Sequence, residues 1–97
     1  MIIDVIEICG EDIISREAGQ KIRRLVLSNW HEPLIELIFH GRRVGSVSFF
    51  DEAIGLLMKR EGKTADEIKE KLRFPDLLKE DRILLNHTVA ARIKEAE

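Results

Sequence analysis

A chain of 97 residues, 44% hydrophobic and 35% charged, is long enough for one modest core and too apolar to stay disordered. Its 16 basic and 18 acidic residues leave a net charge of −2 and a pI of about 5.9, without the basic excess of a non-specific nucleic-acid binder. One Trp, four Phe and no Tyr give little on which bases could stack, and a single cysteine excludes an internal disulfide.

The N-terminal stretch MIIDVIEICGED carries Asp4 and Glu7 and no basic lead, so it does not read as a signal peptide. No segment approaches the ~20 apolar residues of a membrane span. A single domain over residues 1–97, in the cytoplasm, is the expectation. Residues 2–9, IIDVIEIC, are rich in β-branched side chains and predict a first strand, which Gly10, Glu11 and Asp12 break. Cys9 ends that run and is expected as a small core residue.

Ser15 stands as the N-cap of a helix with Glu17 in its first turn. Ala18, Ile22, Leu25 and Val26 form its apolar stripe, while Arg16, Arg23 and Arg24 cover other faces. Pro33 ends this helix near Asn29. Residues 34–39, LIELIF, predict a central strand covered on both faces, and HGRRVGS then reads as a loop.

In the next segment Ser48 and Asp51 have capping-box spacing, which predicts a helix start at Ser48. Phe50, Ile54, Leu57 and Met58 then face inward, and Asp51 and Glu52 sit on an exposed first turn. Gly55 is expected to allow close packing on the sheet. That helix ends near Gly62. Thr64 and Glu67 form a second capping box ahead of a short charged helix, Leu72–Phe74 reads as a short strand stopped by Pro75, and the chain is helical from Leu77 on. Leu78, Leu85, Val89 and Ile93 make the stripe of that last helix. The order β-α-β-α-(α)-β-α predicts an α/β fold with helices packed on a small sheet of three to four strands.

No catalytic constellation emerges. His31, His40 and His87 are never four apart, and the zinc-protease pattern that His31-Glu32 begins fails at Ile35. The loop 41–48 combines Gly, Arg and Ser ahead of a helix, as phosphate cradles do, but lacks the Lys-Ser/Thr ending, and Asp51 and Glu52 would repel a phosphate there. Adjacent on a helix, those two acids point about 100° apart and do not converge on one substrate atom.

The run LIELIFHGRRVGSVSFFDEAIGLL, and within it Gly45-Ser46-Val47-Ser48-Phe49-Phe50-Asp51-Glu52-Ala53-Ile54-Gly55, resembles the STAS-like domain of unknown function, with weaker likeness at residues 15–18 and 72–85. The resemblance implies a fold like that of the anti-sigma factor antagonists: a small mixed sheet with helices stacked on one side. In those relatives the strand-to-helix junction binds a kinase-type anti-sigma factor, and a serine directly after an aspartate switches binding off when phosphorylated. Asp51 matches that aspartate, Glu52 occupies the serine's place, and Ile38 stands where such domains often carry an acid.

The expected function is a non-enzymatic regulatory module that binds a protein through Arg42, Arg43, Gly45, Ser46, Ser48, Asp51 and Glu52. Its implied partner is a histidine-kinase-type ATPase or an anti-sigma-like protein. The alternative is a small-ligand or nucleotide sensor built on the loop 41–48. Nucleic-acid contact through Arg16, Arg23 and Arg24 ranks third. No cofactor, metal or membrane enters this reading, and an edge strand from residues 1–8 leaves a homodimer open.

Overall fold

The computed structural model describes residues 1–96. Three strands, β1 (Ile2–Asp4), β2 (Ile35–Ile38) and β3 (Leu72–Arg73), lie side by side in that order, and both pairings are parallel. The sheet is therefore wholly parallel, not mixed. The chain dictates this, because helices fill both connections and carry each strand back to the same end. After α1 (Val5–Cys9), α2 (Arg16–Ser28) makes the first crossover. Helix α3 (47–59) makes the next with α4 (Ala65–Lys71), and α5 (Lys79–Ala96) closes the fold. Helix α3 spans 47–59: α-helical over Val47–Phe50, π-helical over Asp51–Gly55 and α-helical again over Leu56–Lys59.

The first strand is much shorter than its composition suggests. The Asp4 carboxylate accepts the Glu7 amide at 3.1 Å and caps a helix from Val5, so residues 5–9 leave the sheet. Asp4 and Glu7 carry cap spacing in the sequence, and this local bond wins over β-propensity. Cys9 falls on that helix half-buried, with its thiol 3.8 Å from the Ala18 carbonyl oxygen, and burial pushes the thiol pKa up.

Register places Ile3 beside Leu37 and Ile35 beside Leu72, and all four are buried. The alternate positions Ile2, Glu36, Ile38 and Arg73 lie on the other face, where Ile2 is 61% exposed. Only one face of the sheet is covered, so β2 is not sandwiched as its apolar run predicts.

The covered face meets α2 and α3. Phe39, Phe49 and Phe50 form an edge-to-face chain with ring centroids 6.2 and 5.6 Å apart, all three fully buried. Each such buried side chain stabilises the fold by roughly 1.5–3 kcal/mol. Helices α2 and α3 cross so closely that a Cβ on Gly19 would stand 2.7 Å from the Phe49 carbonyl oxygen and 2.8 Å from Glu52 Cβ. Only glycine fits that crossing.

Helix α5 docks differently. Its buried residues are Asp81, Leu85 and Thr88: Leu85 joins the core, with Leu84 and Val89 packed against it, and two of the three buried side chains are polar. No described helix is long and apolar enough to cross a membrane.

Candidate functional site

The loop after β2 is held by two carboxylates that sequence reasoning passed over. Asp76 accepts the Phe39 amide at 2.9 Å and the His40 amide at 2.7 Å. Asp81, fully buried, accepts the Val44 amide at 2.7 Å and the Gly45 amide at 2.8 Å. Each aspartate lies more than thirty residues from its partners, so no local pattern marks it. Between these anchors the backbone turns through positive φ at His40 (54°) and Gly41 (70°). The His40 ring meets the Asp4 carboxylate at 2.7 Å, which raises the His40 pKa and lowers that of Asp4.

This pinned loop carries Arg42, Arg43 and Gly45 exposed to solvent. Among the described residues neither arginine meets a carboxylate. The loop is a poor phosphate cradle, because four of its backbone N–H groups already serve Asp76 and Asp81.

Helix α3 starts two residues before the expected position. Ser46, not Ser48, is its N-cap: Ser46 Oγ accepts the Phe49 amide at 3.1 Å and donates to the Ile14 carbonyl at 2.6 Å. Both serines have a plausible cap spacing. The second bond, to a residue thirty-two positions away, favours Ser46. Ser48 is half-buried and makes no cap bond. Val47 and Ile14 stand beside this junction 54% and 57% exposed.

The earlier start turns the two acids inward, which corrects their expected place on an exposed turn. Asp51 is only 8% exposed. Arg92 of α5 grips it in two parallel bonds, Nε to Oδ1 at 2.8 Å and Nη2 to Oδ2 at 2.7 Å. Arg16 adds a longer contact to Asp51 at 3.5 Å and bonds Glu52 at 3.0 Å. Arg23, itself buried, donates to the Glu52 carbonyl oxygen at 2.7 Å and approaches its carboxylate at 3.4 Å. The hydrogen bonds from Arg92 hold the Asp51 pKa below the usual carboxylate range against the opposing effect of burial, and the same contact raises that of Arg92.

Gly55 belongs to this cluster. A Cβ there would collide with Asp51 Oδ1 and press on Thr88 and Arg92 at 3.2 and 3.3 Å. Its role is to leave room for the carboxylate and α5, rather than for the sheet.

The seven residues expected to share one surface thus divide. Arg42, Arg43 and Gly45 are presented outward, Ser46 caps the helix entry, Ser48 lies half-buried in the first turn, and Asp51 and Glu52 tie α2, α3 and α5 together. Among the described residues no group of three or more His, Cys, Asp or Glu is placed to hold a metal ion. Ser46 has both its hydroxyl roles committed to backbone groups. Comparison with family models, curated proteins and solved structures finds no match to this chain.

Proposed function

We propose that this chain is a non-enzymatic, cytoplasmic regulatory module that binds another protein through the loop 41–48. This is the mode of the anti-sigma factor antagonists, relatives of the STAS-like domain that its 45–55 stretch resembles. The observation that carries the reading is the pair Arg42 and Arg43, exposed and, among the described residues, without a carboxylate partner, on a backbone pinned by Asp76 and Asp81. A pre-set loop loses little conformational entropy on docking, and two free guanidinium groups favour an acidic partner surface. Val47 and Ile14 add exposed apolar contact at the same junction.

The partner this reading favours is a histidine-kinase-type ATPase or an anti-sigma-like protein. Asp51 and Glu52 serve such a surface from behind, by fixing α3 against α2 and α5. A switch by phosphorylation at position 52 has no hydroxyl to act on. The nucleotide-sensor alternative has weaker support, because the Val44 and Gly45 amides of the loop are already engaged by Asp81.

Affinity capture from native lysate tests the proposal. The wild type is compared with an Arg42→Glu/Arg43→Glu variant, and the captured protein is then purified and bound directly. A protein that binds the wild type and is lost from the variant supports the reading. Equal binding to both removes the loop as the contact surface.

A further inference from the structure

Helix α5 docks through Asp81, Thr88 and Arg92 and through the core residue Leu85, while Val89 and Ile93 of the same stripe are only partly buried. Leu85, Val89 and Ile93, which the sequence marks as a core stripe, line one side of an open groove of about 1010 Å³. The other side is built from α4, β3 and the residue after it, through Ile68, Leu72 and Phe74. From Arg82 to Ile93 this wall runs for ~16 Å, about three helical turns.

The charges around the groove are one-sided. Among the described residues, Lys69, Arg73 and Arg82 line it with Glu36 as the only acid. Arg73 donates to the carbonyls of Lys69 and Leu72, and Arg82 to that of Phe74, so their donors meet neutral oxygens. Among the described residues none of the three cations meets a carboxylate.

We infer that this groove takes an acidic amphipathic helix from another protein. The helix would lie along α5 with apolar residues at three- and four-residue spacing against Leu85, Val89 and Ile93, and with Asp or Glu on its flanks toward the cations. The volume stands at the upper end of the ~300–1,000 Å³ typical of small-molecule pockets, and the site is open and lined along one helix by Arg82, Leu85, Asn86, Val89, Ala90 and Ile93, which suits a second helix. No groove residue belongs to the loop 41–48, so this inference stands without the loop-binding reading.

Fluorescence anisotropy with a labelled model peptide of about 15 residues, helix-forming, with Leu on one face and Glu on its flanks, tests it directly. Saturable binding is expected, weakening as salt rises, and a peptide with Lys in place of Glu should not bind. Lys69 and Ala90 are exposed, so Lys69→Glu and Ala90→Trp leave the fold intact by circular dichroism. Lys69→Glu should weaken binding several-fold, and Ala90→Trp, which fills the groove, should abolish it. Four results overturn the inference: no saturable binding of the acidic peptide, equal binding of the Lys peptide, binding unchanged by Ala90→Trp, or a concentration-dependent dimer of this chain that Ala90→Trp dissolves. Saturable uptake of palmitate in place of the peptide would likewise assign the groove to a small amphiphile and overturn it.

Discussion

Arg92 closes on Asp51 with two parallel hydrogen bonds of 2.8 and 2.7 Å that join the last helix to the middle of α3 across 41 residues. An aspartate that looks like a surface capping residue is instead the anchor for α5. Its side chain is 12% exposed and that of Arg92 18%, so the pair is largely desolvated and each charge depends on the other.

Removing one partner should therefore cost more than removing both. Arg92→Met leaves the Asp51 carboxylate buried with only the distant Arg16, and is expected to lower stability by about 3 kcal/mol. Asp51→Asn combined with Arg92→Met should recover a substantial part of that loss. Urea denaturation of both single variants and the double variant measures the coupling; additive losses would mean the pair is not a unit.

Gly55→Ala sets two effects against each other. Alanine in a helix gains about 1 kcal/mol over glycine. Overpacking against Asp51, Thr88 and Arg92 costs about 1–3 kcal/mol, so net destabilisation is expected. In an Asp51→Ala background the worst collision is gone, and the same substitution should become neutral or stabilising. Thermal denaturation of the four variants reads the sign change.

These two residues also show where sequence reading reaches and where it stops. Ser15 and the Thr64–Glu67 box cap the helices they were expected to cap, because a cap bond spans three residues and needs no tertiary partner. Ser46 and Ser48 both satisfy local cap chemistry, and the choice rests on the Ile14 carbonyl, far off in the chain. The inward turn of Asp51 depends on Arg92 in the same way. The stripe Leu85, Val89 and Ile93 was legible as a periodicity, but periodicity does not say whether a neighbour covers it. The sheet is wholly parallel where a mixed one was expected, because both connections are helical crossovers, and β1 ends early because of the Asp4 cap.

Asp81→Ala should loosen the loop before it unfolds the protein. The carboxylate is fully buried and takes two amides, each such charged hydrogen bond contributing about 1.5–3 kcal/mol. Amide hydrogen exchange at Val44 and Gly45 is expected to rise well beyond that of Ile22 or Val26 in the core. A uniform rise across the chain would mean that Asp81 supports global stability and not the loop in particular.

Stability should change with pH at both ends of the range. Asp51 titrates in the folded chain below its ordinary value of 3.8. Its contribution is full above that value and is lost as pH falls through the lower folded value. His40 titrates above its ordinary 6.5, so its contribution is present below 6.5 and disappears as pH rises through the raised folded value. His40→Asn keeps a residue that tolerates φ 54° and removes the titration. Urea midpoints from pH 5 to 9 should lose their decline above pH 6.5 in this variant. An unchanged decline would place its source in another group.

The most direct measurement of the central claim is an NMR titration of the isotope-labelled chain with the protein recovered by capture. The account predicts shifts at Arg42, Arg43, Ser46, Val47 and Ile14, with the Arg92 Nε–H signal unmoved because Asp51 stays gripped. Unperturbed loop signals, or loss of the Arg92 signal as Asp51 and Glu52 turn outward to the partner, would contradict it.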